Sequence, residues 1–595
     1  MSGNSGTGKE AVGESVVDGE PAAAGAGDPA ASATEQTGQN GQTSPAGDGA
    51  LADARGRRPA ARLRAYWLSP QGVVMACATV LALAIRVYTL TRPGYITGAT
   101  EYDDGVYLGG AIRLVQGALP YHDFALVQPP GILLLMAPVA LLAKVTTATH
   151  AMAAARVLTV LASTACVPLA GSLVRYRGVL VTLVTCGVLA VYPDDITTAH
   201  TLILEPWMNL FCLFGVCLAF RKGRLASPRR LIWAGVAIGF AGAVKYWAAL
   251  PALVLLVFCL LPWAQAQVRV RVRRAGGYAL GVAAGFLLPV LPFLLAAPSA
   301  FVRSTLLDQA ARAGTYVPIS LRLAHLSGLI DFLNSKGHFT LHAGTHSLFA
   351  SGGAAATSSA SAGWLPFVVA VLCVGVLVIG YAWDPGRPST LEWFALVTAV
   401  LAVIAVLSYS AFFYHYPDFA APWLALTAGC AVGALARAFA GRTPVRSALI
   451  AGAALAVLAV AVFQVREVSG LKAPDIYPDQ AAIPTGSCVV TDEISLAIAA
   501  NRFTARQPGC PDVIDALAAT LVRTNGVSVQ GGAARLPHVV AAWQSILGRA
   551  QYVWLSPTNE RRIPWTPGLT AWFAAHFQKL PVRHGLGTVY KRVRP

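Results

Sequence analysis

Long apolar runs separated by short polar segments dominate the chain from about residue 70 to residue 464. Many of these runs have about 18 to 22 residues, the length that an α-helix needs to cross a hydrocarbon core. The pattern predicts a polytopic all-α membrane bundle. The candidate segments are 71–91, 128–143, 151–173, 178–192, 206–220, 231–248, 249–264, 276–297, 364–382, 391–411, 419–436 and 447–464.

The positions of Lys and Arg between these segments set the number of crossings. If every segment crossed, the basic loop 221–230 would lie outside, although cytoplasmic loops carry the excess of Lys and Arg. Segment 128–143 is short and begins at Pro129-Pro130-Gly131, so we interpret it as a juxtamembrane helix. About eleven crossings then remain, in a plasma (inner) membrane protein with a cytoplasmic N-terminus. The outer loops of this domain (67–464) become 92–150, 193–205 and 298–363.

The two ends of the chain lack this apolar pattern. Residues 1–66 are rich in Gly, Ala, Ser and Thr and have no apolar periodicity, which predicts a disordered cytoplasmic tail. Residues 465–595 alternate short apolar runs with Pro and Gly, which predicts a small extracytoplasmic α/β domain. Its predicted strands are at 487–492, 552–556 and 588–593, and its predicted helix is at 512–523.

Cysteine placement agrees with an exterior position for this domain. Cys488 and Cys510 lie in the polar C-terminal region, and the other eight of the ten cysteines lie in apolar segments. Two cysteines in an oxidising compartment predict a disulfide. The alternative is a pair of unpaired thiols.

The overall composition supports a membrane protein. The 595 residues are 55% hydrophobic and 12% charged, with a formal net charge of +17. Because the basic residues cluster between apolar runs, we interpret the charge as a topology signal and expect no nucleic-acid partner.

The strongest candidate for chemistry is the acidic cluster Glu101, Asp103 and Asp104, which follows the first apolar segment. Acidic groups beside a membrane are costly and often functional. A carboxylate that stays ionised can act as a general base. Asp103 and Asp104 are adjacent and point in different directions, so we expect one to be the base and the other to be a positioning residue or the partner of a basic group. Capping of the following helix is the alternative for one acid.

A family resemblance rests on the order of several motifs. The acidic pair is followed by Tyr107, then by Gln128-Pro129-Pro130-Gly131, then by Arg156 at the start of the next long helix. This order resembles the membrane glycosyltransferases of the GT-C superfamily, in particular the protein O-mannosyltransferase and aminoarabinose transferase branch. That branch has Asp-Glu at the acidic pair and often His at the start of the proline motif, so the donor and acceptor stay open. The resemblance covers residues 70–300 well.

The resemblance implies a GT-C-like fold and a glycosyltransferase that uses a polyprenyl-phosphate sugar donor. The acceptor would be an extracytoplasmic glycan, lipid or protein, and inversion is expected. Asp103 and Asp104 become the candidate catalytic residues. No cofactor is certain, and the sequence leaves a divalent cation open. The candidate substrate-binding residues are Glu101, Tyr107, Gln128, Arg156, Asp195, His200, Glu205, Lys245, Arg312, Tyr414 and His415.

Simpler interpretations exist for several of these residues. Arg156 and Lys245 are candidates for a lipid phosphate, but both side chains could snorkel to the membrane surface. Arg312 has the helical spacing for an ion pair with Asp308. Tyr414 and His415 could anchor the chain at the membrane interface.

Other site and function classes fit the sequence less well. His338, His342 and His346 have helical spacing, but the nearby Gly, Ser and Ala favour a loop, and no acidic or Cys ligand completes a zinc site. A transporter would show inverted repeats, which are not evident. A non-catalytic envelope-assembly scaffold would not need the clustered acids. Both classes remain as alternatives.

Overall fold

The computed structural model joins a helical bundle to a small mixed β-sheet at the C-terminal end. It describes residues 66–263, 266–311, 317–335, 364–382, 388–438, 443–503, 508–582 and 585–593. Most of the predicted tail, Arg312 and the three histidines at 338, 342 and 346 lie outside the described residues.

The first half of the bundle contains long helices interrupted by short ones. These helices are α1 (Pro70–Leu90), α2 (Tyr102–Val115), α3 (Gly131–Ala140), α4 (Leu142–Val145), α5 (Ala148–Val174), α6 (Val179–Val191), α7 (Pro193–Ala199), α8 (Leu204–Ala219), α9 (Pro228–Val244), α10 (Ala249–Leu260), α11 (Val268–Ala296), α12 (Pro298–Val302) and α13 (Asp308–Ala311). A two-stranded hairpin, β1 (Phe220–Arg221) and β2 (Arg224–Leu225), joins α8 to α9. A π-helical segment spans Arg303–Leu307.

The second half continues the bundle and ends in the C-terminal region. Its helices are α14 (Ile319–Leu326), α15 (Ile330–Ser335), α16 (Leu365–Ala382), α17 (Thr390–Ser408), α18 (Ala421–Ala438), α19 (Thr443–Ser469), α20 (Tyr477–Ala481), α21 (Ile494–Ala499), α22 (Ala516–Leu521), α23 (Pro537–Gly548) and α24 (Pro567–His576). Short 3₁₀ turns span Arg175–Arg177, Tyr246–Ala248, Tyr416–Phe419, Ala533–Arg535 and Asn559–Arg561.

The apolar helices give a multi-pass membrane protein. Within the described residues, six helices are long and apolar enough to cross a membrane, namely α1, α5, α11, α16, α17 and α19. Helices α6 and α7 form a seventh candidate that bends by 54° at their junction. Shorter apolar helices lie at Gly131–Val145, Leu204–Ala219, Tyr246–Leu260 and Ala421–Arg437. The eleven crossings and their orientation stay a prediction.

Two breaks in the helices place candidate site residues. Pro193 lacks an N–H and disfavours helix at the residue before it, so Tyr192 is extended and α7 starts in a new direction. Asp195 lies in the first turn after this break. Helix α9 ends at Val244, and Lys245 is extended before the next turn. Both breaks put polar side chains between helix ends.

The C-terminal region contains a four-stranded sheet. Its strands are β3 (Val489–Thr491), β4 (Tyr552–Leu555), β5 (Phe577–Lys579) and β6 (Thr588–Arg592). The order is β3-β4-β6-β5, with β3 and β4 parallel and the other pairs antiparallel. Buried aromatic side chains such as Trp543 and Phe573 pack against the sheet.

The structure differs from the sequence prediction at two boundaries. Helix α19 continues to Ser469, past the predicted end of the membrane domain at residue 464. The predicted helix 512–523 shortens to α22, because Asp515 caps a helix that begins at Ala516 by accepting a hydrogen bond from Ala518 N (2.8 Å).

Helix α2 shares a hydrophobic core with the C-terminal region. Tyr102 and Val106 of α2 belong to the same buried cluster as Ile494 and Ile498 of α21. Gly105 makes this approach feasible, because a Cβ there would lie 2.2 Å from the backbone N of Ser495. The acidic cluster is therefore held between the bundle and the C-terminal region.

Gly105→Ala should loosen this contact. The new methyl group meets backbone, which cannot rotate away, so we expect a loss of about 1 to 3 kcal/mol. Thermal unfolding of the purified protein in detergent measures the change. Gly276→Ala on α11 is the matched control, because a Cβ there meets nothing within 4 Å and Ala is the better helix former. An equal Tm for wild type and Gly105→Ala would contradict this packing.

Candidate active site

Glu101 lies at the N-cap of α2 and connects it to a distant loop. One carboxylate oxygen accepts a hydrogen bond from Tyr102 N (2.9 Å), and the other accepts one from the Tyr414 hydroxyl (2.7 Å). The side chain is buried, and burial, together with the nearby Asp103 carboxylate, raises the pKa of Glu101 to about 8. Glu101 is therefore largely protonated at neutral pH and is a poor candidate for an ionised base.

Asp104 is completely buried, and both of its carboxylate oxygens accept hydrogen bonds. One of its oxygens accepts hydrogen bonds from the Arg156 guanidinium at 2.5 and 3.2 Å, and the other accepts one from Leu202 N. Arg156 is also completely buried and donates to the Tyr95 carbonyl (2.6 Å) and the Thr100 hydroxyl (2.9 Å). Asp104 and Arg156 thus form a buried ion pair, as expected for an acid that is the partner of a basic group, and their catalytic and phosphate-binding roles stay predictions.

Asp103 lies in a different environment from its neighbour. Consecutive residues on a helix point about 100° apart, so Asp103 faces away from the Arg156 pair. Of the acids at 101, 103 and 104, all of which the structure describes, Asp103 is the only one that is partly exposed. It is the carboxylate of the cluster best placed to meet a substrate.

A second buried ion pair holds the bend between α6 and α7. Asp195 accepts hydrogen bonds from Arg86 of α1 (2.5 Å) and from the Ser163 hydroxyl (2.6 Å). Arg86 is fully buried and also donates to the carbonyls of Leu189 and Ala190. Asp195 is therefore paired with protein groups in this structure, and its predicted role in substrate binding stays a prediction.

Glu205, Lys245 and His415 form a third buried cluster. One carboxylate oxygen of Glu205 accepts from both Lys245 Nζ and His415 Nδ1, the latter at 2.7 Å. Lys245 Nζ lies 4.7 Å from the centre of the Tyr416 ring. A carboxylate and an aromatic face thus hold a buried ammonium group in one position.

Tyr107 links this cluster to Asp103. Tyr107 is buried. This burial, together with the nearby carboxylates of Asp103 and Glu205, raises the pKa of the Tyr107 hydroxyl. The neighbouring residues Tyr414 and His415 make a second link, since Tyr414 binds Glu101 and His415 binds Glu205. Asp103, Glu101, Tyr107, Glu205, Lys245, Tyr414 and His415 therefore converge on one site.

The remaining candidates lie around this site. The His200 ring is buried 5.0 Å from the Tyr95 ring, beside the Arg156 network. The Gln128 carbonyl accepts a hydrogen bond from the Tyr121 hydroxyl (2.5 Å). A Cβ at Gly131 would lie 2.5 Å from the Ala243 carbonyl oxygen, so the proline motif packs against the helix end that precedes Lys245. Cys488 and Cys510 form a disulfide with Cα atoms 5.7 Å apart.

Sequence reasoning missed three polar residues of these networks. Arg86 could have been noticed as a cation inside an apolar run, where an unpaired charge is costly. Asp418 accepts a hydrogen bond from the Thr198 hydroxyl (2.7 Å), and its signal was an acid just before an apolar segment. Tyr102 donates to Asp515 (2.8 Å), a contact across 413 positions that no local pattern reveals.

The donor set does not fit a metal ion. In the ranges that the structure describes, no group of three or more His, Cys, Asp or Glu side chains could hold one. Oxygens of Asp104, Asp195 and Glu205 already accept hydrogen bonds from cationic side chains. We therefore assign no step to a divalent cation.

Comparison with known proteins identifies the fold. No protein-family profile and no curated protein matches the sequence. Apo ArnT from Cupriavidus metallidurans is 15% identical with a TM-score of 0.51, over 87% of this chain and 97% of that one. The same protein bound to undecaprenyl phosphate is 14% identical with a TM-score of 0.50, over 88% and 97%. Archaeal oligosaccharyltransferase AglB from Archaeoglobus fulgidus, with an inhibitory peptide and a dolichol-phosphate, is 12% identical with a TM-score of 0.52, over 89% and 75%.

The chain has a GT-C fold. At these identities the likeness concerns the fold, and the resemblance noted from the motif order is confirmed at that level. The site assembled above lies where the first helices of this GT-C fold meet the C-terminal region.

Asp104→Asn and Arg156→Gln should each destabilise the GT-C fold. Each removes one partner of a buried ion pair and leaves the other charge uncompensated, which costs about 3 to 5 kcal/mol. Asp103→Asn should lower Tm by less than Asp104→Asn does, because Asp103 is partly exposed and lies outside this pair. Thermal unfolding in detergent compares the variants. Equal Tm losses for Asp103→Asn and Asp104→Asn would contradict the separation of their roles.

Glu101 should make stability depend on pH. Between its ordinary pKa of 4.5 and its folded pKa of about 8, the folded state keeps a proton that the unfolded state has released. Stability therefore falls as pH rises through this window. Glu101→Gln cannot lose a proton, so the Tm of the variant minus that of wild type should grow from about pH 5 to about pH 8. A difference that stays constant with pH would show that the Glu101 carboxyl is not perturbed. The exposed Glu560→Gln is the control.

Proposed function

We propose that the protein is a glycosyltransferase that moves a sugar from a polyprenyl-phosphate donor to an acceptor outside the cytoplasm. The observation that carries the proposal is the contrast between Asp103 and Asp104. Asp104 is locked to Arg156, while Asp103 is partly exposed beside Tyr107 and the Lys245 cluster. This arrangement, on a GT-C fold, supports Asp103 as the base.

In the proposed step, Asp103 accepts the proton of an acceptor hydroxyl as its oxygen attacks the anomeric carbon. A new bond forms between that oxygen and the sugar, and the bond between the sugar and the phosphate oxygen breaks. The electron pair leaves with the polyprenyl phosphate. Attack from the face opposite the phosphate inverts the anomeric centre, as the family resemblance implies.

Lys245 is the cation that we assign to the leaving phosphate. Hydrogen-bond donors and cations fixed where charge develops stabilise a transition state without reorganising. Glu205, His415 and the Tyr416 ring hold the ammonium group in place. Because Glu205 also binds His415, Lys245 is not its only partner, and the ammonium group can interact with a phosphate from the position in which it is held.

The solved relatives support the class of donor. ArnT was solved with undecaprenyl phosphate and AglB with a dolichol-phosphate. For this chain we propose a donor of the same class, in a plasma membrane orientation that places the C-terminal region outside. The acceptor is a cell-envelope glycan, lipid or protein.

Asp103→Asn should abolish transfer without unfolding the protein. The experiment supplies full-length protein with radiolabelled undecaprenyl-phosphate pentoses and hexoses, together with an envelope extract as the source of acceptor. Loss of a general base should lower the transfer rate by about 10²- to 10⁴-fold, and a cooperative thermal transition shows that the variant is folded. Glu560→Gln removes an exposed charge far from Asp103 in the sequence, and this variant should transfer sugar at the wild-type rate. Full activity of Asp103→Asn would exclude Asp103 as the base, and no transfer by wild type from any of these donors would contradict the proposed donor class.

A further inference from the structure

A cavity of about 960 Å³ lies between the outer loop 121–125, residues 299–304 and the C-terminal region. The C-terminal wall consists of residues 508–515 together with parts of α22 and α23. The volume of the cavity is within the range of about 300 to 1,000 Å³ that small-molecule sites occupy.

The carboxylates in the cavity wall already have partners. Asp512 accepts a hydrogen bond from Arg113 of α2 (2.6 Å). Asp515 accepts from the Tyr102 hydroxyl and from Ala518 N, both at 2.8 Å. Asp123 accepts from Leu119 N (2.8 Å). Each of these three carboxylates thus accepts at least one hydrogen bond from the protein itself.

The arginines of the wall are differently placed. Arg303, Arg523 and Arg549 have exposed side chains and line the cavity from three separate elements. Arg523 and Arg549 donate to the backbone carbonyls of Ala519 and Ser545, four residues earlier in the chain, at 2.5 and 3.4 Å. The Arg303 charge acts on the nearby Asp308. Within the described ranges, none of the three forms an ion pair.

We propose that this cavity binds a saccharide that carries phosphate or carboxylate groups and serves as the acceptor. Guanidinium groups bind both kinds of anion through charge-assisted hydrogen bonds. Three of them converging on one space fit an anionic ligand. A polyprenyl chain would have to desolvate the same charged groups without pairing them, which is unfavourable. The inference rests on the proposed glycosyltransferase function and names its acceptor class.

The cavity wall also holds the helix that carries Asp103. Asp512 binds Arg113 near the C-terminal end of α2, and Asp515 binds Tyr102 at its first residue. The Tyr102 ring further packs under Arg562, 4.1 Å from its guanidinium carbon. An acceptor in the cavity therefore contacts the wall residues that hold Tyr102, which directly precedes the proposed base Asp103.

Binding to the purified full-length protein in detergent tests this proposal without any donor. Isothermal titration calorimetry compares tetragalacturonate, a phosphorylated maltotetraose and neutral maltotetraose. We expect wild type to bind at least one anionic oligosaccharide and to bind the neutral one more weakly. The triple variant Arg303→Gln, Arg523→Gln and Arg549→Gln should bind the anion roughly tenfold or more weakly, because each charged hydrogen bond contributes to binding.

The matched control removes the same charge elsewhere on the C-terminal region. Arg535→Gln, Lys579→Gln and Lys591→Gln change three exposed cations outside the cavity and should bind like wild type. The triple variant Arg303→Lys, Arg523→Lys and Arg549→Lys keeps the positive charges. It should bind the anion more tightly than the triple Gln variant does. Tm of each variant shows that it is folded.

The outcomes separate the alternatives. Binding of only the carboxylate or only the phosphate ligand supports the site and identifies which anion it prefers. Equal weakening in the cavity variant and the control variant means general attraction to a basic protein and overturns the proposal. Equal binding of the neutral sugar, or no binding of either anion, also overturns it. Because no transfer is measured, these results are independent of the Asp103→Asn experiment.

Discussion

The buried ion pair between Asp104 and Arg156 is the interaction on which the site depends. Both side chains are completely buried, and Arg156 also binds the Tyr95 carbonyl and the Thr100 hydroxyl. Through these hydrogen bonds, Arg156 of helix α5 holds helix α2 and the loop that precedes it in place. An ion pair removed from water is stable only when each partner is satisfied, so this network allows a single arrangement. That arrangement turns Asp103 away from the pair and leaves it partly exposed.

The other buried charges follow the same rule. Asp195 is neutralised by Arg86, and Glu205 by Lys245 with His415. Glu101 avoids the cost of burial by holding its proton, since its pKa is raised to about 8. Each of these buried acids is thus either paired with a cation or kept protonated. The distinction matters because the sequence alone presents Asp103 and Asp104 as equal candidates for catalysis.

The C-terminal region packs directly against helix α2, which carries the acidic cluster of the site. It shares a hydrophobic core with α2, and Gly105 lets the two backbones approach closely. Tyr102 and Arg113 of α2 also bind Asp515 and Asp512 of this region. A ligand between residues 121–125, residues 299–304 and this region would therefore act on the same helix that carries Asp103.

The sequence determined the class of fold and the chemistry available to it. Apolar runs of membrane-spanning length predicted the helices, because hydrocarbon thickness sets their length locally. The order of the acidic pair, the proline motif and Arg156 indicated the GT-C fold. Tertiary structure alone separated Asp103 from Asp104, since neighbours on a helix differ only in the face that packing buries. It also paired Arg86 with Asp195 across 109 positions and His415 with Glu205 across 210, contacts that no local spacing encodes.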